Sequence, residues 1–157
     1  MGTSSRSSTS SPPGAEDARV HSAVHLLKGA VTRVIGPRRV TFAGPGVLRV
    51  RSDAPVSTQE AGKVEAAANR KVAEDVEVLE FEMERQEAEM HFGTGIYDLA
   101  APPEPGAHIR LVKIEGWDVS CCPCSHVETT GSVGAVRVDS VAFEERTREA
   151  LFRFHLL

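Results

Sequence analysis

The stretch HSAVHLLKGAVTRVIGPRRVTFAGPGVLRV, residues 21–50, changes its hydrophobic period halfway along. Val20, Val24, Leu27, Val31, Val34 and Ile35 recur at three- and four-residue steps, which gathers them on one face of a helix. Asp17 is the candidate N-cap. Gly36-Pro37 stops the run, because proline lacks the amide that a helix needs. The spacing predicts a helix over about 18–35. Beyond it, residues 38–43 and 46–51 read as two strands around Ala43-Gly44-Pro45-Gly46, a hairpin signal.

The rest of the chain continues this mixture. Ser57-Thr58-Gln59-Glu60 has the spacing of a capping box and predicts a second helix over about 58–73. Val76, Val78 and Phe81 suggest a strand, and Arg85 to about His91 a short acidic helix. Ile109, Leu111, Val112 and Ile114 suggest a further strand. Val133–Phe143 and Ala150–Leu157 form a closing antiparallel pair. Strands interrupted by separated helices predict an α+β domain, an antiparallel sheet or partly closed barrel flanked by two main helices. APPEPG at 101–106 reads as a loop inside that domain. Residues 1–17 (MGTSSRSSTSSPPGAED) are low in complexity and read as a disordered tail, leaving 18–157 as the folded unit.

The chain has 157 residues, 41% hydrophobic and 25% charged, which suits one soluble domain and argues against coiled coil, collagen or full-length disorder. No run approaches the length of a membrane span, and the N-terminus lacks the apolar core of a signal peptide. The expectation is a cytoplasmic protein with no membrane association. The formal net charge of −4 would disfavour nucleic acid, but it is an average. Arg19, Lys28, Arg33, Arg38, Arg39, Arg49 and Arg51 fall in a stretch without a single Asp or Glu. Residues 74–89 hold eight acids and one base, and read as a solvated face without a catalytic part.

His21 and His25 stand four apart on the first predicted helix, so both imidazoles project from one face. Cys122-Pro-Cys-Ser-His126 brings a thiolate and an imidazole into one short loop, preceded by Cys121. Mixed Cys and His donors suit zinc. The four candidate ligands His21, His25, Cys122 and His126 would tie the first helix to the C-terminal sheet. Each half alone also fits surface histidines or a thiol-redox loop.

Together, HSAVHLLKGAVTRVIG and CCPCSHVETTGSVGAVRV resemble the AlaX family, free-standing relatives of the alanyl-tRNA synthetase editing domain. That family carries HxxxH near its start, CxxxH near its end and a TTG-like turn, here Thr129-Thr130-Gly131. GIYDLAAPPEP at 95–105 also looks like the short form of the family. Cys124 and the Ser/Pro-rich leader depart from its pattern.

The resemblance implies a zinc-dependent hydrolase that removes serine, and in some members glycine, from mischarged alanine tRNA. Such a second site exists because a pocket shaped for alanine cannot strongly reject near-isosteres. By the same resemblance Thr41 is the candidate reader of the serine hydroxyl, and Thr130 shapes the pocket or bonds the adenosine end. Lys28, Arg33, Arg38 and Arg39 would meet tRNA phosphates. A zinc-dependent module that binds tRNA or a synthetase without catalysis is the alternative.

Overall fold

The computed structural model describes residues 15–157. Helix α1 spans Ala15–Val34. It starts before Asp17, which therefore lies inside the helix rather than at its cap. The remainder of the expected tail, 1–14, lies outside the described residues. Ala23, Leu26, Leu27, Ala30 and Val31 form the buried stripe of α1. Gly29 lets Trp117 approach: a Cβ there would collide with the indole, whose Nε1 donates to the Leu26 carbonyl at 3.0 Å.

The expected hairpin is β1 (Val40–Gly44) with β2 (Val47–Arg51). Helix α2 covers Thr58–Glu74, and its capping box forms as read, with Ser57 Oγ accepting from the Glu60 amide and Glu60 accepting from the Ser57 amide, both at 3.0 Å. Then follow β3 (Val78–Glu84), α3 (Arg85–Phe92), β4 (His108–Ile114), β5 (Asp118–Cys121), β6 (Val136–Glu144) and β7 (Glu149–Leu156). All ladders between these strands are antiparallel.

The strands divide into two sheets, of order β1-β2-β7-β6 and β3-β4-β5. The expected α+β class holds, but there is no closed barrel among the described residues. The closing pair β6–β7 adds to β2, not to β3 or β4, so β1 and β6 remain edges of the larger sheet. Strand β5, not foreseen, completes the smaller one. The main core lies between α1, α2 and the inner face of the larger sheet, around Leu27, Leu48, Val64 and Phe152. A smaller core under α3 holds Ala88, Ile96, Ile109 and Leu111. Strand β4 serves both: Ile109 and Leu111 face the smaller, Val112 and Ile114 the larger. No helix among the described residues is long and apolar enough to cross a membrane.

Candidate metal centre

His25 is buried on α1, and the Cys122–His126 loop leaves β5 directly beneath it. His25 Nδ1 donates to Asp118 Oδ2 at 2.7 Å, and His126 Nδ1 donates to Glu80 Oε2 at 3.0 Å. Each ring turns its Nδ1 to a carboxylate, which leaves its Nε2 facing the other ring. The two Nε2 atoms lie 3.0 Å apart, and Cys122 Sγ belongs to the same group, whose ligand atoms are all within 4.8 Å of one another. Where both Nε2 atoms are unprotonated, their lone pairs repel unless a positive centre sits between them. Burial, then the charge of the nearby His25, pushes His126 down to about 4. Two nitrogens on one tetrahedral zinc would stand about 3.4 Å apart, close to the separation here. The donor set fits a metal ion.

The supporting carboxylates are themselves held. Asp118 also takes Lys28 Nζ at 3.2 Å and the Ser120 hydroxyl at 3.0 Å. Burial pushes the Asp118 carboxyl up, but the His25 hydrogen bond and Lys28 charge outweigh it and hold it below its usual range. Arg110 grips Glu80 at 2.7 Å and donates to the carbonyls of Cys122 (3.1 Å) and Cys124 (2.6 Å). One guanidinium thus pins both the cysteine loop and the carboxylate behind His126. For Glu80 too, burial is outweighed by His126 and Arg110. Ser22, between the two helical histidines, accepts from the Val127 amide at 3.0 Å and ties the far end of the loop to α1. Burial pushes the Cys122 thiol up to about 11, so a thiolate there needs a cation beside it.

His21 sits one turn before His25. Its ring centre is 6.4 Å from that of His126, against 4.8 Å for His25, so it borders the cluster without joining the closest three. His21, His25 and Cys122 share a cavity of about 160 Å³ with Val20, Val24, Ala43, Gly44, Leu99 and Cys124.

The other expected site residues are dispersed. An irregularity in the β1–β2 register between Val40 and Phe42 sets Phe42 opposite Arg49 and exposed, with Val40 and Ala43 packed on the core and Thr41 beside Glu149 on the outer face. Thr41 therefore lies off the cavity. Its hydroxyl is buried without a well-formed hydrogen bond, near enough to Glu149 to lower that carboxyl. Thr130 is fully buried, and its hydroxyl donates to the Lys71 carbonyl (2.8 Å) and accepts from the Val76 amide (3.0 Å). It joins the end of α2 to the start of β3. Lys28 is spent on Asp118, Ser120 and, at 3.7 Å, Asp98. Arg33 lies over the Trp117 ring at 4.6 Å and donates to the Gly116 carbonyl. Arg38 and Arg39 line an open groove of about 610 Å³ with Tyr97, Asp98 and Asp118. Asp118 is common to the groove and to the histidine cluster.

Glu80, Asp118 and Arg110 escaped the sequence reading, and Glu80 corrects the view of the acidic stretch as merely solvated. Alternation along β3 was the available signal: Glu80 and Glu82 share one face, yet only Glu80 stands across from the cysteine loop.

The fold and cluster define an α+β domain with a His25/Cys122/His126 group that could hold a metal ion. The chain is similar to one segment of alanine–tRNA ligases. It is 36% identical to that of Pyrococcus abyssi over 126 residues, 76% of this chain and 14% of the ligase. It is 36% identical to that of Ignicoccus hospitalis over 128 residues (78% and 14%), and 32% to that of Saccharolobus islandicus over 141 residues (86% and 15%). The chain therefore spans about one-seventh of the length of these relatives. No protein-family model matches it.

Proposed function

We propose that the chain is a trans-editing hydrolase of the AlaX type that deacylates alanine tRNA mischarged with serine or glycine, in the cytoplasm, using one zinc ion. The observation that carries this reading is the convergence of His25, His126 and Cys122, each imidazole backed by its own carboxylate, beside a small cavity. The similarity to alanine–tRNA ligases supports alanine tRNA as the partner.

His25, Cys122 and His126, with His21 bordering them, would hold the zinc. Bound there, zinc supplies Lewis acidity toward an ester carbonyl. Asp118 and Glu80 orient the imidazoles and fix which nitrogen faces inward. Arg110 keeps the cysteine loop in register with Glu80. Arg38 and Arg39 are free to meet phosphates along the groove, whereas Lys28 and Arg33 serve internal contacts. Thr41 and Thr130 take no part in substrate contact in this reading.

A second reading is favoured by the proximity of His21. If all four protein ligands bind at once, the site is closed and the domain would be a zinc-dependent tRNA- or synthetase-binding module. Metal analysis combined with deacylation assays separates the two. The expected result is bound zinc with release of serine and glycine from alanine tRNA, both lost in Cys122→Ala. Zinc binding without hydrolysis would select the module, and full activity in zinc-free Cys122→Ala protein would overturn the metal reading.

A further inference from the structure

The histidine cluster leaves a second thiol beside Cys122. From Cys122 to His126 the loop keeps a strand's alternation, with Cys122, Cys124 and His126 turned in and Pro123 and Ser125 exposed. Cys122 and Cys124 therefore share a side: both pack on the main core, and both line the cavity with His21 and His25. Cys121 points the other way, into the smaller core. Both the amide and the thiol of Cys124 act on the Cys122 sulfur. Cys122 is 4% exposed, whereas Cys124 is half-buried, so a small reagent entering the cavity meets Cys124 first.

The backbone between the two thiols is drawn in. Arg110 Nη1 takes the carbonyl oxygens of Cys122 and Cys124 at 3.1 and 2.6 Å, so alternate carbonyls converge on one nitrogen, and the chain bends at Cys124. In a fully extended chain, residues two apart have Cα atoms ~7 Å from each other, just beyond the ~4.4–6.8 Å that a disulfide spans. Carbonyl convergence shortens that span toward the bridging range. A bond between Cys121 and Cys122 would instead have to turn Cys121 out of the smaller core.

We propose that Cys122 and Cys124 form a reversible disulfide when the protein meets a hydroperoxide, and that this bond withdraws Cys122 from the metal-binding group. This switch goes beyond the deacylase reading and uses only the place of Cys122 among the candidate ligands. The Cys124 sulfur attacks the peroxide, whose O–O bond breaks, giving a sulfenic acid on Cys124 and water or an alcohol. The Cys122 sulfur then attacks the Cys124 sulfur. The S–O bond breaks, and the hydroxyl leaves as water with the Cys122 thiol proton. The two sulfurs have together lost two electrons, and the peroxide has gained them. A disulfide sulfur no longer offers the thiolate that binds a metal. A bridge closing so short a loop is strained, and strained disulfides are easily reduced, so a dithiol returns both thiols.

The test exposes the zinc-loaded full chain to hydrogen peroxide, with zinc release read by a chromogenic chelator and the bond read by mass spectrometry. The wild type is expected to lose the mass of two hydrogen atoms, to release its zinc, and to bind zinc again after dithiothreitol. In the lighter species, blocking free thiols before reduction is expected to label Cys121 alone, a result that needs no variant. Cys124→Ser leaves every candidate ligand in place. It is expected to bind zinc as the wild type does and to keep it under the same peroxide, whereas Cys121→Ser is expected to release it. A label on Cys122 or Cys124 in the lighter species, release from Cys124→Ser at the wild-type rate, or a Cys122–Cys124 bond with zinc retained would each overturn the switch. An untreated wild type without zinc would overturn it together with the metal reading. Reversible zinc release in a protein that hydrolyses no ester would leave the switch standing and remove only the deacylase reading.

Discussion

Replacing Asp118 by Asn removes one charge and little volume, and its consequences divide cleanly. The carboxylate has three partners: His25 Nδ1 at 2.7 Å, Lys28 Nζ at 3.2 Å and Ser120 Oγ at 3.0 Å. Its side chain is 8% exposed and that of Lys28 9%, so solvent screens little. Breaking a buried ion pair costs about 3–5 kcal/mol. Here Lys28 keeps Asp98 at 3.7 Å, so we expect the lower end of that range, about 3 kcal/mol of folding stability. His25 meanwhile loses the charged acceptor that aims its ring. Loss of such a supporting group typically lowers metal affinity 10–100-fold, or about 1.4–2.7 kcal/mol. The two effects are separable. Lys28→Met/Asp118→Asn removes the stranded ammonium, so it is expected to recover stability without recovering affinity. Urea denaturation of metal-free protein reads the first quantity, and zinc competition against a chromogenic chelator reads the second. Glu80→Gln should lower affinity less than Asp118→Asn, because Glu80 is 35% exposed and better screened. If Asp118→Asn binds zinc as tightly as wild type, or if the double variant regains both properties, Asp118 does not support a metal ligand.

With its thiol held up to about 11, Cys122 is protonated in the metal-free protein at neutral pH. Zinc binding is expected to expel about one proton, visible by calorimetry in buffers of different ionisation enthalpy and absent in Cys122→Ala. His126 gives a second pH signature. The unfolded chain takes up its proton near 6.5 and the folded chain only near 4, so metal-free protein loses stability as pH falls through that window, by at most about 3 kcal/mol. A flat denaturation midpoint from pH 6.5 to 4 would contradict this. Thr130→Val leaves the Lys71 carbonyl and Val76 amide unpaired, which is expected to cost about 1–3 kcal/mol of stability with zinc affinity unchanged. For RNA binding, Arg38→Ala and Arg39→Ala should each reduce the slope of log affinity against log salt by about one, and Arg33→Ala should not.

The candidate ligands were legible because their grouping is local. Helical period sets His21 and His25 on one face, and a five-residue loop carries Cys122 and His126. What stands behind them was not legible, because it is a matter of strand register. Glu80 reaches His126 only because β3 pairs with β4 in the one alignment that sets Glu80 opposite Val112 and Arg110 opposite Glu82. Slipping that pairing by one residue would carry Glu80 to the other face. Thr41 shows the same limit in reverse. Strict alternation from Val40 turns Thr41 outward and Phe42 inward, but the irregularity turns both outward and brings Ala43 to the cavity instead. The division into two sheets was hidden for a third reason. Strand β5 is only four residues long, and its Trp-Asp-Val-Ser surroundings carry no sustained period. The helices and the hairpin, whose signals are continuous over many residues, emerged close to their expected bounds.

Strand order also constrains when this domain can assemble. Strand β7 lies inside the larger sheet, between β2 and β6, and pairs Val47 with Arg153. The chain is thus about a hundred residues further on before the hairpin that opens the sheet finds its neighbour. During synthesis β2 must wait with an unpaired edge while α2 and the whole smaller sheet are made. Closing so long a loop is a slow, non-local event. A ribosome-bound nascent chain ending before Glu149 would accordingly expose the β2 edge to other chains.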